Sequence, residues 1–442
     1  MKNTWRSCIG VLGLVSLLPL LTLAQFKPDI TAANTGSPEQ AGDGTTFMKM
    51  YHSEPFAKAV HTHGQVLKAS SETTEFSAET AAERKINGNE ELQSAKGYRN
   101  PLQVKFGDPY IMFDKASRTY YMYGTNGGAK DGFAAYSSSD LVNWKNEGQV
   151  YFGNQPDTWG INSFWAPEVY AVNGKFYMFY SAQWRENPRG EWENIKIGVA
   201  VSDKPTGPFK DMSDQPLFDP GYPVIDANVF FDDDGRVYLY YSRCCYKHPV
   251  ESEIAALARE KKWFNEIEES WVYGIELKPD FSAVIGEPVL ILRPPVSLKD
   301  TQAGWESRSV TSREVNRRWT EGSYTFKKDD IYYIMYSANH FGGEHYAVGY
   351  ATAASPLGAY KKAANNPVLQ KNTKSGGNVT GTGHNSIVYS PDGGQMFCVY
   401  HGRTAATGKE RLVFIDKMKA ENGVITVAGP NTEMQPMPFS KK

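Results

Sequence analysis

From Gly107 onward the sequence writes one pattern five times. GDPYIMFDKASRTYYMYGT begins at Gly107, WAPEVYAVNGKFYMFYSA at Trp165, IDANVFFDDDGRVYLYYSR at Ile225, TEGSYTFKKDDIYYIMYSA at Thr320 and GHNSIVYSPDGGQMFCVYHG at Gly383. Each copy has a polar or acidic head and a short apolar run. A turn of Asp, Asn, Gly or Lys follows, then a run of alternating aromatics ending in Ser or another small residue. That is a β-hairpin. A hairpin repeated at long period predicts an array of small sheets, and this constrains the fold more than any bulk property.

Further strand candidates lie between the copies, such as GFAAYSSSDLVNWK from Gly132 and IKIGVAVSDKPTGPF from Ile195, so each period supplies about four strands. Four-stranded sheets repeated radially predict an all-β, five-bladed propeller of antiparallel blades. From Asp108 to Glu168, Asp226, Glu321 and His384 the steps are 60, 58, 95 and 63 residues. The long step holds an insertion, and Glu251 to Ile267 carries helical spacing within it. In a propeller the innermost strand of every blade lines the axis, so polar residues at the heads of the five copies are expected to converge on one pocket.

The remaining sequence divides simply. Residues 1–24 read as a signal peptide: Lys2 and Arg6, an apolar run from Ile9 to Leu23, then Ala24. The run is too short for a comfortable membrane span, so no membrane association is expected after cleavage, and a secreted or periplasmic location is. Residues 25–100 are polar and without strand alternation, and read as an extension or linker with a possible helical stretch near Ser77 to Lys85. The propeller then occupies 101–442. His61 and His63 stand two apart without suitable neighbours and read as exposed histidines. The 26 Tyr, 22 Phe and 10 Trp suit strands and a sugar-facing surface. A formal net charge of −2, with no basic run, argues against nucleic acid as a partner. Three cysteines past the leader are too few for a disulfide scaffold. No feature specifies an oligomeric state.

Several carboxylates around one axis are electrostatically costly, because like charges in a confined site raise one another's pKa. Such a cluster can hold one carboxyl protonated beside another that is ionised, the pairing that glycosidic cleavage needs. The acid protonates the departing oxygen, and the carboxylate activates water. The partner implied is a carbohydrate. Asp232, Asp233 and Asp234 before Gly235 resemble the start of a calcium loop, but no Glu follows at the required spacing, and a hairpin turn is the better reading. Trp165 beside the proposed pocket offers an aromatic face to a sugar ring.

These repeats resemble family 43 glycoside hydrolases, the arabinofuranosidase and xylosidase group. The resemblance rests on GDPYI at Gly107, SSDLVNW at Ser138, FWAPEV at Phe164, VIDANVFFDDDGRVYLYYS at Val224, WTEGSYTFKKDDIYYIMYSA at Trp319 and GTGHNS at Gly381. It runs from about Asn100 to the C-terminus. It implies a five-bladed propeller with Asp108 as general base, Glu321 as general acid and Asp226 tuning and orienting that acid, with inversion at the anomeric carbon. It also implies sugar contacts from Arg411 and, more weakly, Arg403. Trp165 and Glu168 join the substrate-binding candidates. No cofactor is required, and His384 is the place where a calcium ion would be held through water. Ser323 stands where the family commonly has Pro, and residues before Asn100 have no counterpart. The expected reaction is exo-release of α-L-arabinofuranose or β-D-xylose from plant cell-wall material. The alternatives are an endo-arabinanase and a carbohydrate-binding propeller without turnover.

Overall fold

Alternating apolar and polar residues suit a strand, whose successive side chains point to opposite faces. In the computed structural model, which describes residues 97–245 and 251–439, every copy of the repeat forms two such strands, and the chain between copies supplies two more. The first sheet is β1 (Phe106–Asp114), β2 (Thr119–Asn126), β3 (Gly132–Ser138) and β4 (Lys145–Phe152), and the second β5 (Gly160–Val172), β6 (Lys175–Trp184), β7 (Ile195–Ser202) and β8 (Lys210–Asp211). The third contains β9 (Val224–Phe231), β10 (Val237–Cys245), β11 (Glu268–Leu277) and β12 (Val284–Leu292), and the fourth β13 (Arg317–Lys328), β14 (Ile331–Ala338), β15 (Ala347–Ala353) and β16 (Lys361–Lys362). The fifth is β17 (Val379–Tyr389), β18 (Met396–Thr404), β19 (Leu412–Glu421) and β20 (Val424–Val427). Innermost strands β1, β5, β9, β13 and β17 touch in sequence, and β17 returns to β1. The fold is a five-bladed β-propeller.

The turns follow the residues. Asn173–Gly174, Asp329–Asp330 and Asn422–Gly423 have positive φ at both positions, the two-residue hairpin geometry that these residue types tolerate. Asp232 to Gly235 forms the hairpin turn between β9 and β10, with the Gly235 N–H donating to the Asp232 carbonyl at 3.0 Å. The core lies between blades: Ile111 and Met122 of the first pack with Phe397 and Val399 of the last, and Tyr333 and Met335 of the fourth with Ile387 and Tyr400. Truncating any of these large buried side chains to Ala should cost about 2–5 kcal/mol.

Two features close and brace the ring. Residues 97–104 run beside the last blade: Leu102 donates to the Val413 carbonyl at 2.8 Å, Val413 to Val104 at 3.1 Å, and the Asn100 amide bonds both backbone groups of Ile415 at 3.0 Å. Tyr98 pairs with Gln435. The chain then enters β1, so one continuous segment links the last blade to the first. The insertion forms helix α1 (Glu253–Glu260), capped by the Ser252 side chain, which accepts from the Ala255 N–H. It buries Ile254, Ala255 and Ala258 against Ile267, Ala303 and Val310. Residues 268–270 pair in parallel with 317–319, joining the third and fourth blades into one sheet. Wholly buried Arg318 seals that junction, donating to Glu269 at 2.7 Å and Ser252 Oγ at 2.6 Å.

Among the described residues no helix is long and apolar enough to cross a membrane. The leader, His61, His63 and the stretch near Ser77 to Lys85 lie outside the described residues.

Candidate active site

Every innermost strand has a slip in its pairing at an equivalent place: between Gly107 and Tyr110, Trp165 and Glu168, Ile225 and Asn228, Glu321 and Tyr324, and Gly383 and Ser386. Such bulges re-aim a side chain. Each holds one left-handed residue, namely Asp108 (φ 53°), Ala166 (46°), Asp226 (60°), Gly322 (56°) and His384 (50°). These five are the equivalent positions. The sequence reading placed Glu168 and Glu321 in that series, and the structure corrects it: Glu321 precedes its blade's left-handed residue, and Glu168 lies two residues beyond. The bulge has no residue-type signature, since Asp, Ala, Gly and His all occupy it.

The structure brings buried Asp108, Asp226 and Glu321 together with the partly exposed His384 in one cluster. Asp108 Oδ1 accepts from Arg411 Nη1 at 2.9 Å and faces His384 Nδ1 at 3.1 Å, while Oδ2 accepts from Thr125 Oγ1 at 2.5 Å. Burial alone would raise its pKa, but the charges of Arg411 and His384 hold it well below the usual carboxylate range. Gly107 leaves the room Arg411 occupies, because a Cβ there would collide with the guanidinium. The guanidinium also lies over the Phe341 ring, 5.1 Å from its centroid.

Glu321 has the opposite character. Burial, reinforced by the charge of Asp226, pushes its pKa up to about 8. Its oxygens accept from Trp319 Nε1 at 2.5 Å and the Tyr346 hydroxyl at 2.8 Å. Asp226 is raised as well, by burial and by Asp108 against the opposing pull of His384. Its Oδ2 accepts from the Gly322 N–H at 3.2 Å and Ser242 Oγ at 3.3 Å, tying it to the residue beside the acid. Gly322 is required twice over: its φ is left-handed, and a Cβ would lie 2.9 Å from the His384 ring. Burial disfavours a charged His384, yet Asp108, Asp226 and Glu321 raise its pKa to about 9.

The other candidates fall at differing distances from this chemistry. Trp165 is half-buried, packed on Ile195, Ile225 and Trp319 at the edge of the cluster. Arg403 is buried behind Arg411, its Nε donating to the Lys409 carbonyl at 3.2 Å, with its pKa lowered to about 10 by burial and Arg411. Glu168 is turned to Tyr170 and Asn228, and burial raises its pKa to about 7. Sequence reasoning missed Thr125, Trp319, Tyr346 and His401. Thr125 and His401 lie near the end of the second strand of their repeats, a signal open to alignment of the copies. Trp319 stands two residues before the acid, whereas Tyr346 lies in a loop without pattern.

A calcium ion at His384 does not fit as a directly ligated ion. The Nδ1 atom is turned to Asp108, a protonated ring offers no lone pair, and among the described residues no group of three or more His, Cys, Asp or Glu could hold a metal. An ion there would rest on water.

An ionised carboxylate and a protonated carboxyl on one propeller axis are the equipment of a glycosidase. Residues 98–425 match the sequence model of Glycosyl hydrolases family 43. The chain belongs to that family. As a family 43 glycoside hydrolase, it is 28% identical over 330 residues to a β-D-galactofuranosidase of Aspergillus niger, covering 71% of this chain and 79% of the relative. It is 26% identical over 313 residues to a xylosidase/arabinosidase of Bacteroides ovatus, covering 67% and 83%. The crystal structure of a thermostable family-43 glycoside hydrolase superposes with a TM-score of 0.66 at 36% identity, covering 78% of this chain and 100% of that one.

Proposed function

We propose that this family 43 enzyme releases α-L-arabinofuranose or β-D-xylose from the ends or side chains of plant cell-wall polysaccharides, with inversion at the anomeric carbon. The observation carrying the reading is the split between two buried carboxyls: Asp108 is held ionised, while Glu321 keeps its proton up to about pH 8. Asp108 takes a proton from water as the water oxygen bonds to the anomeric carbon. The glycosidic C–O bond breaks, and Glu321 gives its proton to the departing oxygen. Asp226 keeps Glu321 protonated through its charge and steadies the adjacent Gly322 N–H. Arg411 holds Asp108 and presents the rest of its guanidinium to the sugar, and Trp165 offers a ring face. Glu168, engaged by Tyr170 and Asn228, serves the axis.

The substrate class is supported by the names of the relatives, a β-D-galactofuranosidase and a xylosidase/arabinosidase. Secretion or a periplasmic location is supported by the leader pattern. A screen on aryl α-L-arabinofuranoside, β-D-xyloside and β-D-galactofuranoside, then on arabinan and arabinoxylan, tests the reading. Turnover of the first or second with single-sugar release is expected. Cleavage of internal arabinan bonds alone would favour the endo-acting alternative, and binding without turnover the lectin-like one. NMR of the first-formed product should show the inverted anomer.

A further inference from the structure

Near the end of the second strand of each repeat stands Thr125, Ser181, Ser242, Ser337 or His401. Four of these accept the N–H of the left-handed residue in the next blade: Thr125 from Ala166 at 2.9 Å, Ser181 from Asp226 at 3.0 Å, Ser337 from His384 at 2.6 Å and His401 Nδ1 from Asp108 at 3.1 Å. Ser242 works through the Asp226 carboxylate, which it bonds and which takes the Gly322 N–H. A left-handed non-glycine residue is strained, and these bonds hold it in place. Hydroxyls serve four seams, and an imidazole serves the seam holding Asp108.

That exchange has a chemical meaning. A hydroxyl can accept the N–H and also donate to a carboxylate, as Thr125 does. An imidazole Nδ1 that accepts has no proton to give, so the proton of neutral His401 sits on Nε2. Nε2 is buried with no hydrogen-bond partner among the described residues, and the ring stacks on Tyr346, with centroids 5.5 Å apart and planes at 16°. Burial and the cation of Arg411 hold His401 well below the usual imidazole range. Tyr346 and His401 are both fully enclosed, and Gly383 leaves space for the Tyr346 ring. The far end of Tyr346 donates to Glu321 at 2.8 Å.

We propose that His401 and Tyr346 are a positioning pair that fixes the spacing of base and acid: His401 grips the backbone of Asp108, and Tyr346, stacked on it, grips Glu321. This rests on the assignment of Asp108 and Glu321 as base and acid. The pair spans the fourth and fifth blades, so the spacing is set before substrate arrives.

The test is a set of pH–rate profiles on whichever aryl glycoside the wild type turns over. Glu321 is faced by Asp226, His384, Asp108, Trp319 and Tyr346, and Asp108 by Arg411, His384, His401 and Thr125. Tyr346→Phe keeps the stack but removes a donor to ionised Glu321. The basic limb should move to higher pH and kcat fall about tenfold, with KM nearly unchanged. His401→Asn places an amide oxygen where Nδ1 stood but removes the ring under Tyr346, so kcat should fall about tenfold, while His401→Phe, which keeps a ring but has no acceptor, loses about 100-fold. A wild-type profile and kcat for Tyr346→Phe, or a kcat for His401→Asn no better than that for His401→Phe, overturns the pair. Asp108→Asn and Glu321→Gln run alongside. If these retain turnover, the base and acid assignment fails and the pair with it; if they are inactive, the other variants judge the pair alone.

Discussion

Arg411 Nη1 donates to Asp108 Oδ1 at 2.9 Å, reaching from the last blade to the first. The contact holds the base ionised although it is buried. Arg411→Ala should therefore raise the pKa of Asp108, moving the acidic limb of the kcat/KM profile to higher pH and lowering kcat/KM about 10²-fold. Arg411→Lys should recover only part of this, because an ammonium lacks the planar fork. An unmoved acidic limb in the alanine variant would show that Arg411 does not set the base.

Removing either proton-transfer group should be far more damaging. Asp108→Asn and Glu321→Gln are each expected to lower kcat by about 10²–10⁴-fold. Circular dichroism and melting curves should report a folded propeller in both. Near-wild-type turnover in either would end its assignment.

Asp226 should act at one remove. Its charge adds to burial in raising Glu321, so Asp226→Asn should let the acid ionise earlier and shift the basic limb to lower pH. Loss of the limb's position, rather than of sugar binding, is the expected signature: kcat changes more than KM.

Stability should decline as the solution is made alkaline. Glu321 and Glu168 hold protons to about 8 and about 7 in the folded chain against 4.5 ordinarily, and His384 to about 9 against 6.5. All three bind protons more tightly when folded, so the stability they lend is complete below their unfolded values and is lost as pH climbs through the folded ones. Asp108 works the other way, stabilising above its ordinary value and losing that on strong acidification. Melting temperature should fall between about pH 5 and pH 9, less steeply in Glu321→Gln. A melting temperature that rises over this interval would contradict the cluster's electrostatics.

The insertion should prove a structural brace. Arg318 and Glu269 are both fully buried and paired at 2.7 Å, so Arg318→Ala leaves Glu269 only the partly exposed Arg293 at 3.3 Å as a cationic partner and should cost about 3 kcal/mol in urea unfolding. A loss under about 1 kcal/mol would show that Arg293 suffices to hold Glu269 and that Arg318 is no brace.

The repeats made the fold legible because hairpins depend on local residue choice: alternation and Asn-Gly or Asp-Asp turns are written where they act. The acids were legible because chemistry restricts their type. The bulge that shifts Glu321 and Glu168 out of register was not, since the pairing of two strands determines it. Neither was Tyr346, whose partner Glu321 is brought near only when the fourth blade folds. The parallel pairing of residues 268–270 with 317–319 was hidden likewise, because the insertion separates its halves.

The stretch from Tyr98 to Val104, laid along the last blade before the chain enters the first, has a temporal consequence. Asp108 belongs to the opening blade, yet two of the groups that govern it, Arg411 and His401, belong to the concluding one. Four blades can be complete and the base still ungoverned. During synthesis or refolding, turnover should therefore appear abruptly and last, when the two ends of the chain meet, so that the first molecule of product certifies a finished ring.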